Sequence, residues 1–511
     1  MFNSLRFVVI VSTMVFVASL VFVGCGKSDK PAPPQDVQTD SGTPDKSAAP
    51  QDAQTVNGGP QSSDNAPSTL KITETSLGNT KDMIYASMTI SPDWRHVAFA
   101  RQRGDKLVVV VDGVEGKEYG DIKMPGIVFS PDSKRVAYWA KRGGKWFAVV
   151  DGIEGKEYDE VTRNPVTFSP DSQRVAYWAK RGDKALVVVD GVEGKEYAEI
   201  LEGSLIFSPD SKRVAYAAER AGSHFVVVDG SESKEYISAR EIVFSPDSKH
   251  VAYVATHPTI LDVVVLDGVE GETYFAIGAN GYDGPIFSPD SKRVAYSAGS
   301  GRCVVVDGVA GKEYDYAGGD GVLRFSPDSK RVAHIASKSG DQNPFLFVVD
   351  GVEGKAYKSV SGTSLHFSPD SKRVAYAAWR GEKCFAVVNE VEGREYDGIQ
   401  MPYVVFSPDS QRVAYAAVRA GSHFVVVDGV EKKSYTGIGL YSLDFSPDSK
   451  RVAYVAERDD KAFVVVDEVE GKEYDNAHLA DNCLIFDSPT KLHTILTRGG
   501  EFFLVEIEIT E

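Results

Sequence analysis

Residues 127–164 read IVFSPDSKRVAYWAKRGGKWFAVVDGIEGKEYDEVTRN, and the fold follows from this one stretch. Ile127-Val128-Phe129 is a short apolar run, and Ser130-Pro131-Asp132-Ser133 is a turn in which Pro presets φ and Asp can bond its own backbone. Arg135 to Ala140 and Trp146 to Val150 are β-branched and aromatic segments too short for helices, separated by the Lys141-Arg142-Gly143-Gly144 turn. Asp151 to Gly155 is a Gly-punctuated loop, and Lys156 to Val161 is expected as a fourth strand. The third strand is apolar on both faces, as is VVVVD at Val108 to Asp112, so a neighbouring sheet must cover each face.

The same phrase recurs along the chain. FSPDS has its Phe at 129, 168, 207, 244, 287, 325, 367, 406 and 445, preceded by ISPDW at Ile90 and followed by FDSPT at Phe486. Eleven units at a period near 40 residues are an array of one supersecondary element. Four antiparallel strands per unit, stacked face to face about an axis, make an all-β, β-propeller architecture. The strand-like run Leu70-Lys71-Ile72-Thr73-Glu74 precedes the first unit, and the last unit supplies only three strands, so this run is expected to complete it. Propellers usually have about four to eight blades. Two rings are therefore the favoured arrangement, with a crossover expected near Ala276 to Pro285 or Ser339 to Pro344, and a single large ring is the alternative.

SPDSKRVAYWA resembles the WD40-like repeats of the TolB type over about residues 70–511, with Ser133 and its equivalents where that family prefers Gly. The resemblance implies a propeller and carries no particular activity with it.

The N-terminus reads as an address. Arg6 precedes an apolar run from Phe7 to Val23, followed by Gly24-Cys25. The segment resembles a bacterial lipoprotein signal, which implies a signal peptide at 1–24 and lipidation of Cys25; an uncleaved membrane anchor is the rival reading. Residues 25–69 are rich in Pro, Ser, Asp and Gln with almost no large apolar side chains, the composition of a disordered tether with a reach of about 35–40 Å. The expected location is a bacterial membrane, on its periplasmic or cell-surface side.

Chemistry is sparse. The 73 acidic against 56 basic residues, a net charge of −17, argue against a nucleic-acid binder. No GxSxG, HExxH, Walker or GxGxxG signature occurs, so no enzyme activity and no cofactor are expected. Cys303, Cys384 and Cys483 replace apolar residues of sibling units and are expected as buried thiols, with a Cys303–Cys384 disulfide as the alternative; no Cys/His spacing suggests a metal. DYAGGDG at Asp315 to Gly321 lacks a calcium-loop spacing. RGD at Arg103 and Arg181 is read as a hairpin turn, since siblings have RGG, RGE or RAG there. His224 and His423, in identical AGSHF phrases, are likewise read as hairpin residues, and His334 as a tolerated replacement for the Tyr of VAY.

The positive signal is a recurring Arg. Arg103, Arg142, Arg181, Arg220, Arg380, Arg419, Arg458 and Arg498 all sit in the loop between the second and third strands. That loop shares a face with the most variable segment, the fourth-to-first connection (IKMPGI, VTRNPVT, IGANGYDGP, VSGTSLH). The expectation is a binding or scaffold protein whose Arg-bearing face meets an envelope protein or an anionic polysaccharide. A catalytic propeller, a glycan lyase or hydrolase with His366 and Asp444 in the central channel, is the competing expectation.

Overall fold

A computed structural model describes residues 69–278, 283–319, 322–340, 344–475 and 483–510, with the side chains of 401–403 excepted. The expected signal peptide, Cys25 and the tether lie outside the described residues. The body is an all-β propeller. Nine sheets hold one repeat each, and a ten-stranded sheet holds the last two, joined at the single pair Asp475–Thr497. In chain order the units span 89–119, 121–158, 160–197, 199–236, 238–274, 277–314, 316–357, 359–396, 398–435, 437–475 and 485–510, numbered 1 to 11 below.

Unit 2 shows why the repeat folds as it does. Val136–Arg142 pairs with Lys145–Val150 in register Ala137↔Val150 to Arg142↔Lys145. Asp151 and Gly152 then turn the chain with φ of 52° and 75°, the left-handed pair of a two-residue hairpin that Asp-Gly favours. The fourth strand therefore starts at once, at Ile153-Glu154, and continues to Tyr158, which bridges Trp146. This corrects the expected fourth strand at Lys156 to Val161: Glu160-Val161 already belongs to unit 3, pairing with Ala179 and Lys180. Sequence alone read the tight turn as a longer loop.

Strand alternation sends Tyr138, Ala140, Phe147 and Val149 into a cluster shared with unit 1, and Ala137, Trp139 and Ala148 into one shared with unit 3. Both faces are covered, as the doubly apolar third strand required. Each unit packs in this way on the next in sequence. The eleventh unit packs on the first through Ile495, Phe502, Val97, Phe99 and Val110. The N-terminal strand Thr69–Asn79 is the outer strand of unit 11, in register Ile72↔Ile507, so both ends of the described chain lie in one sheet as expected.

Among the described residues the core clusters join only units adjacent in sequence, apart from unit 11 with unit 1. The two stretches expected to hold a crossover lead instead into the adjacent unit 6, and into the hairpin of unit 7 where Ser337 pairs with Phe345.

The repeated polar residues hold neighbours together. In each turn the first Ser hydroxyl donates to the Asp carboxylate, as Ser130 does to Asp132 at 2.6 Å. The Asp backbone N–H donates to the last Ser of the next unit, as Asp132 does to Ser172 Oγ at 2.9 Å. Nine such bonds join units 1 to 10. Ser133, Ser172 and Ser211 hold φ of 63–65°, a region Gly adopts more easily, so Ser at this position exchanges backbone ease for a bond between units. Arg135 clamps the same seam: Nε donates to Asp151, Nη1 to the Ser172 carbonyl, both at 2.8 Å, and the guanidinium lies over Phe168.

Candidate functional site

The second-to-third-strand hairpins share a face with the short fourth-to-first turns, where Asp159 accepts the Gly182 N–H, and the eight Arg residues begin there. The variable segments expected in that connection lie instead within the innermost strand: Ile122 and Val128 both pair with Val136–Arg142, and Val161 and Thr167 both with Val175–Arg181, because the fourth strand ends sooner than expected. Each of them is already engaged with a Glu. Arg142 donates to Glu154 at 3.0 Å, Arg181 to Glu193 at 2.6 Å and Arg220 to Glu232 at 3.0 Å. Arg380 pairs with Glu392 and Arg419 with Glu431, at 2.6 and 2.5 Å. Arg458 pairs with Glu470 at 3.1 Å, Arg498 with Glu74 at 2.7 Å, and Arg103 with Glu115. Most stack on an aromatic ring as well, Arg220 on Phe225 and Arg498 on Phe503 among them.

The preceding unit reaches the same carboxylate. Lys195 joins Glu232, Lys355 joins Glu392, Lys472 joins Glu74, and the Tyr158 hydroxyl donates to Glu193. The result is a belt of Tyr and Lys from one unit meeting Glu and Arg of the next. Arg220 foremost, then Lys195, hold the Glu232 carboxyl down at about 2; Lys355 and Arg380 do the same for Glu392. The guanidinium groups are half-exposed but neutralised, which leaves them weaker anchors for a polyanion than eight unpaired cations. Both RGD arginines, Arg103 and Arg181, belong to this belt.

The belt is interrupted between units 5 and 6. Unit 5 has Glu272 in place of the Lys, and unit 6 has Ala310 in place of the Glu and Ser300 at the position of Arg142. The inner clamp is altered at the same seam, where His250 pairs with Asp267 at 2.6 Å in the place of Arg135. Here too lies Glu241, whose carboxylate fits between Gly278 and Gly284; a Cβ on either would come within 2.1 Å of its Oε2. Burial foremost, with Asp262 and Asp283 adding to it against Arg240, raises the Glu241 carboxyl to about 7.

The exposed large apolar residues fall into two classes. Val114, Ile153, Val192, Val269, Val309, Val352 and Val430 follow an Asp-Gly turn, Val391 follows its Asn389-Glu390 counterpart, and all recur with the repeat. Tyr85, Ile237, Ile260, Leu266, Phe275, Leu440 and Tyr441 do not recur, with Tyr85 75% and Phe275 67% exposed. Ile237 and Phe275 lie at fourth-to-first turns, Ile260 in a hairpin and Leu266 at the end of a third strand, while Tyr85, Leu440 and Tyr441 lie in breaks of the innermost strands of units 1 and 10. Reading the sequence for charge missed them. The available signal was that Ile237 and Phe275 stand where siblings have Asp159, Asp397 and Asp475, each bound by a Lys of its own hairpin.

The residues expected for a catalytic channel lie on innermost strands two units apart, His366 in unit 8 and Asp444 in unit 10. Burial, with the charge of Arg324, lowers His366 to about 4, and burial raises the Asp444 carboxyl. His224 and His423 lie on third strands just past the hairpin. Asp315 of the DYAGGDG stretch accepts the Ser339 N–H. Cys303 and Cys384 are free thiols buried in different seams, and burial pushes the Cys384 thiol up to about 11; Cys483 is half-buried. Among the described residues no group of three or more His, Cys, Asp or Glu is placed to hold a metal ion.

No family model and no curated protein matches the chain. It is similar to solved structures at low identity. One, a eukaryotic initiation factor, is 12% identical over 71% of this chain and 90% of its own, with a TM-score of 0.39. Another, a Dos1 propeller, is 12% identical over 59% of this chain and 92% of its own, with a TM-score of 0.29. The propeller fold itself rests on the strand pairing described above.

Proposed function

We propose that this chain is a non-enzymatic binding propeller, a single ring of eleven blades held to a bacterial envelope membrane through a lipid on Cys25. It presents its Arg-bearing face to an envelope protein. The observation that carries this reading is the sorting of side chains. The repeated charges are used between and within units, while the exposed Ile237, Ile260 and Phe275, which break the repeat, lie at the turns and hairpin of the Arg-bearing face. Exposed Phe and Ile beside paired Arg are the composition of a protein-contact surface. The paired state of the eight Arg residues favours a protein over an anionic polysaccharide, because each Arg would have to give up its Glu before meeting a polyanion.

Capture from envelope extract tests it, with a soluble form starting at Ser68 beside one carrying Ile237→Ser, Ile260→Ser and Phe275→Ser. A protein retained by the first and lost by the second is the expected result; equal retention by both would reject this face. Labelling of the full chain with an alkynyl fatty acid, abolished by Cys25→Ala, is the expected result for the anchor. Label that survives the substitution would reject it.

A further inference from the structure

Between units 6 and 7 a cavity of about 400 Å³ breaks the packing of the ring. One substitution lies in its wall. In eight units the second strand carries a Tyr that packs edge-on against a Tyr of the preceding unit, as Tyr138 does on Tyr119 and Tyr177 on Tyr158. At some seams its hydroxyl ends beside a glycine of the preceding unit's outer strand: Tyr177 Oη would lie 3.6 Å from a Cβ on Gly155, and Tyr415 Oη 3.5 Å from one on Gly393. In unit 7 the position is His334, edge-on to Tyr314 but without the far end of the tyrosine ring and its hydroxyl. Gly311, the matching glycine, lines the cavity.

The walls are aliphatic, formed by Val304 and Val306 of unit 6 and Val332 and Val348 of unit 7. His334 is buried, with Nδ1 3.0 Å from the Ile335 carbonyl. The tautomer that donates there carries no proton on Nε2, so the second ring nitrogen is an acceptor. Burial lowers the His334 pKa, which keeps that neutral form. The cations at the rim are matched: Lys312 with Glu353 at 2.7 Å, Arg293 with Asp307 at 2.8 Å, and Lys330 with Asp328 at 3.6 Å. The site therefore offers apolar walls, one acceptor and no uncompensated charge, in a volume at the small end of ligand pockets.

We propose that this cleft binds a small neutral phenol, or a similar hydroxylated monocyclic aromatic, whose hydroxyl donates to His334 and whose ring lies between the four valines. The ligand lies beyond the His334 ring, in the cavity that the four valines line. This site is separate from the Arg-bearing face and does not depend on the partner proposed for it.

The test is ¹⁹F NMR of 4-fluorophenol and of fluorobenzene with the full chain, beside His334→Tyr and His334→Leu. His334→Tyr restores the sibling residue and is expected to fill the cleft, remove 4-fluorophenol binding and raise the Tm. His334→Leu keeps an apolar cleft without the acceptor, so the wild-type preference for 4-fluorophenol over fluorobenzene, about tenfold from one buried hydrogen bond, should vanish. Competition by p-cresol and not by toluene is expected in the wild type, whatever the variants do. Equal binding of 4-fluorophenol to wild type and His334→Tyr, no preference for the hydroxyl in the wild type, or no broadening at the probe's solubility limit would each overturn the proposal.

Discussion

The left-handed serines set two contributions against each other, and substitution can separate them. Consider Ser133, Ser172, Ser211, Ser329, Ser371 and Ser410 changed together to Ala, or together to Gly. All six are buried, and each accepts the Asp N–H of the preceding unit at 2.9–3.0 Å. Alanine keeps the strained backbone and removes the acceptor, at about 1 kcal/mol per site or more where the N–H stays dry. Six sites then lose about 6 kcal/mol. Glycine loses the same bonds but relieves about 1 kcal/mol of left-handed strain per site, partly offset by the freer unfolded chain. Its net loss is about 3 kcal/mol. For a cooperative body of about 440 residues the unfolding entropy makes 1 kcal/mol worth about 1 °C. Scanning calorimetry should therefore place the Ala variant about 6 °C and the Gly variant about 3 °C below wild type. An Ala variant as stable as wild type would show that the bonds between units contribute nothing. A Gly variant below the Ala variant would show that the strain argument has the wrong sign.

Other outcomes follow from the charges. Folding lowers the Glu74, Glu232, Glu353 and Glu392 carboxyls from 4.5 to about 2, so their stabilisation is present above pH 4.5 and lost as pH falls toward 2. Changing all four to Gln should flatten the fall of Tm over that window, and an unchanged slope would contradict it. Glu241 shifts the other way, from 4.5 to about 7, so it destabilises the fold increasingly as pH rises from 4.5 to 7. Glu241→Gln should raise the Tm above pH 7 and leave it unchanged below pH 4.5; equal effects at both ends would refute the shift. At the belt gap, Ala310→Glu alone places a second carboxylate opposite Glu272 and should lower stability slightly. Paired with Glu272→Lys it should raise stability by less than about 1 kcal/mol, as exposed pairs do, and thermal melts of the three proteins decide the sign.

Much of the fold was legible because the repeat prints the same strand pattern eleven times and because Leu70 to Glu74 has no sheet to join except the last. The fourth strand was misread because Asp151-Gly152 turns the chain in two residues, and composition does not separate that turn from a loop. The packing of unit 11 on unit 1 was not legible, since it joins Val97 and Phe99 to Ile495 and Phe502, far apart in the chain. The Arg pattern was visible without its partner. Arg142 and Glu154 lie twelve residues apart on different strands, a pairing that only the cross-sheet geometry makes. Ser300 and Ala310 standing together at those two positions in unit 6 were the sequence trace of that pairing. His334 was legible as a departure, but the cavity behind it comes from a glycine and four valines that look ordinary in the sequence.

The most direct measurement of the central claim is site-specific photocrosslinking in intact cells. A photoreactive residue would be placed at Ile237, Ile260 or Phe275 on the Arg-bearing face, and at Val114, Val192, Val352 or Val430 after the Asp-Gly turns. All seven side chains are exposed, so accessibility to solvent does not by itself separate the two sets. The account predicts one discrete protein adduct from the first set and none from the second. Adducts from the Asp-Gly side alone, or from neither side, would contradict it.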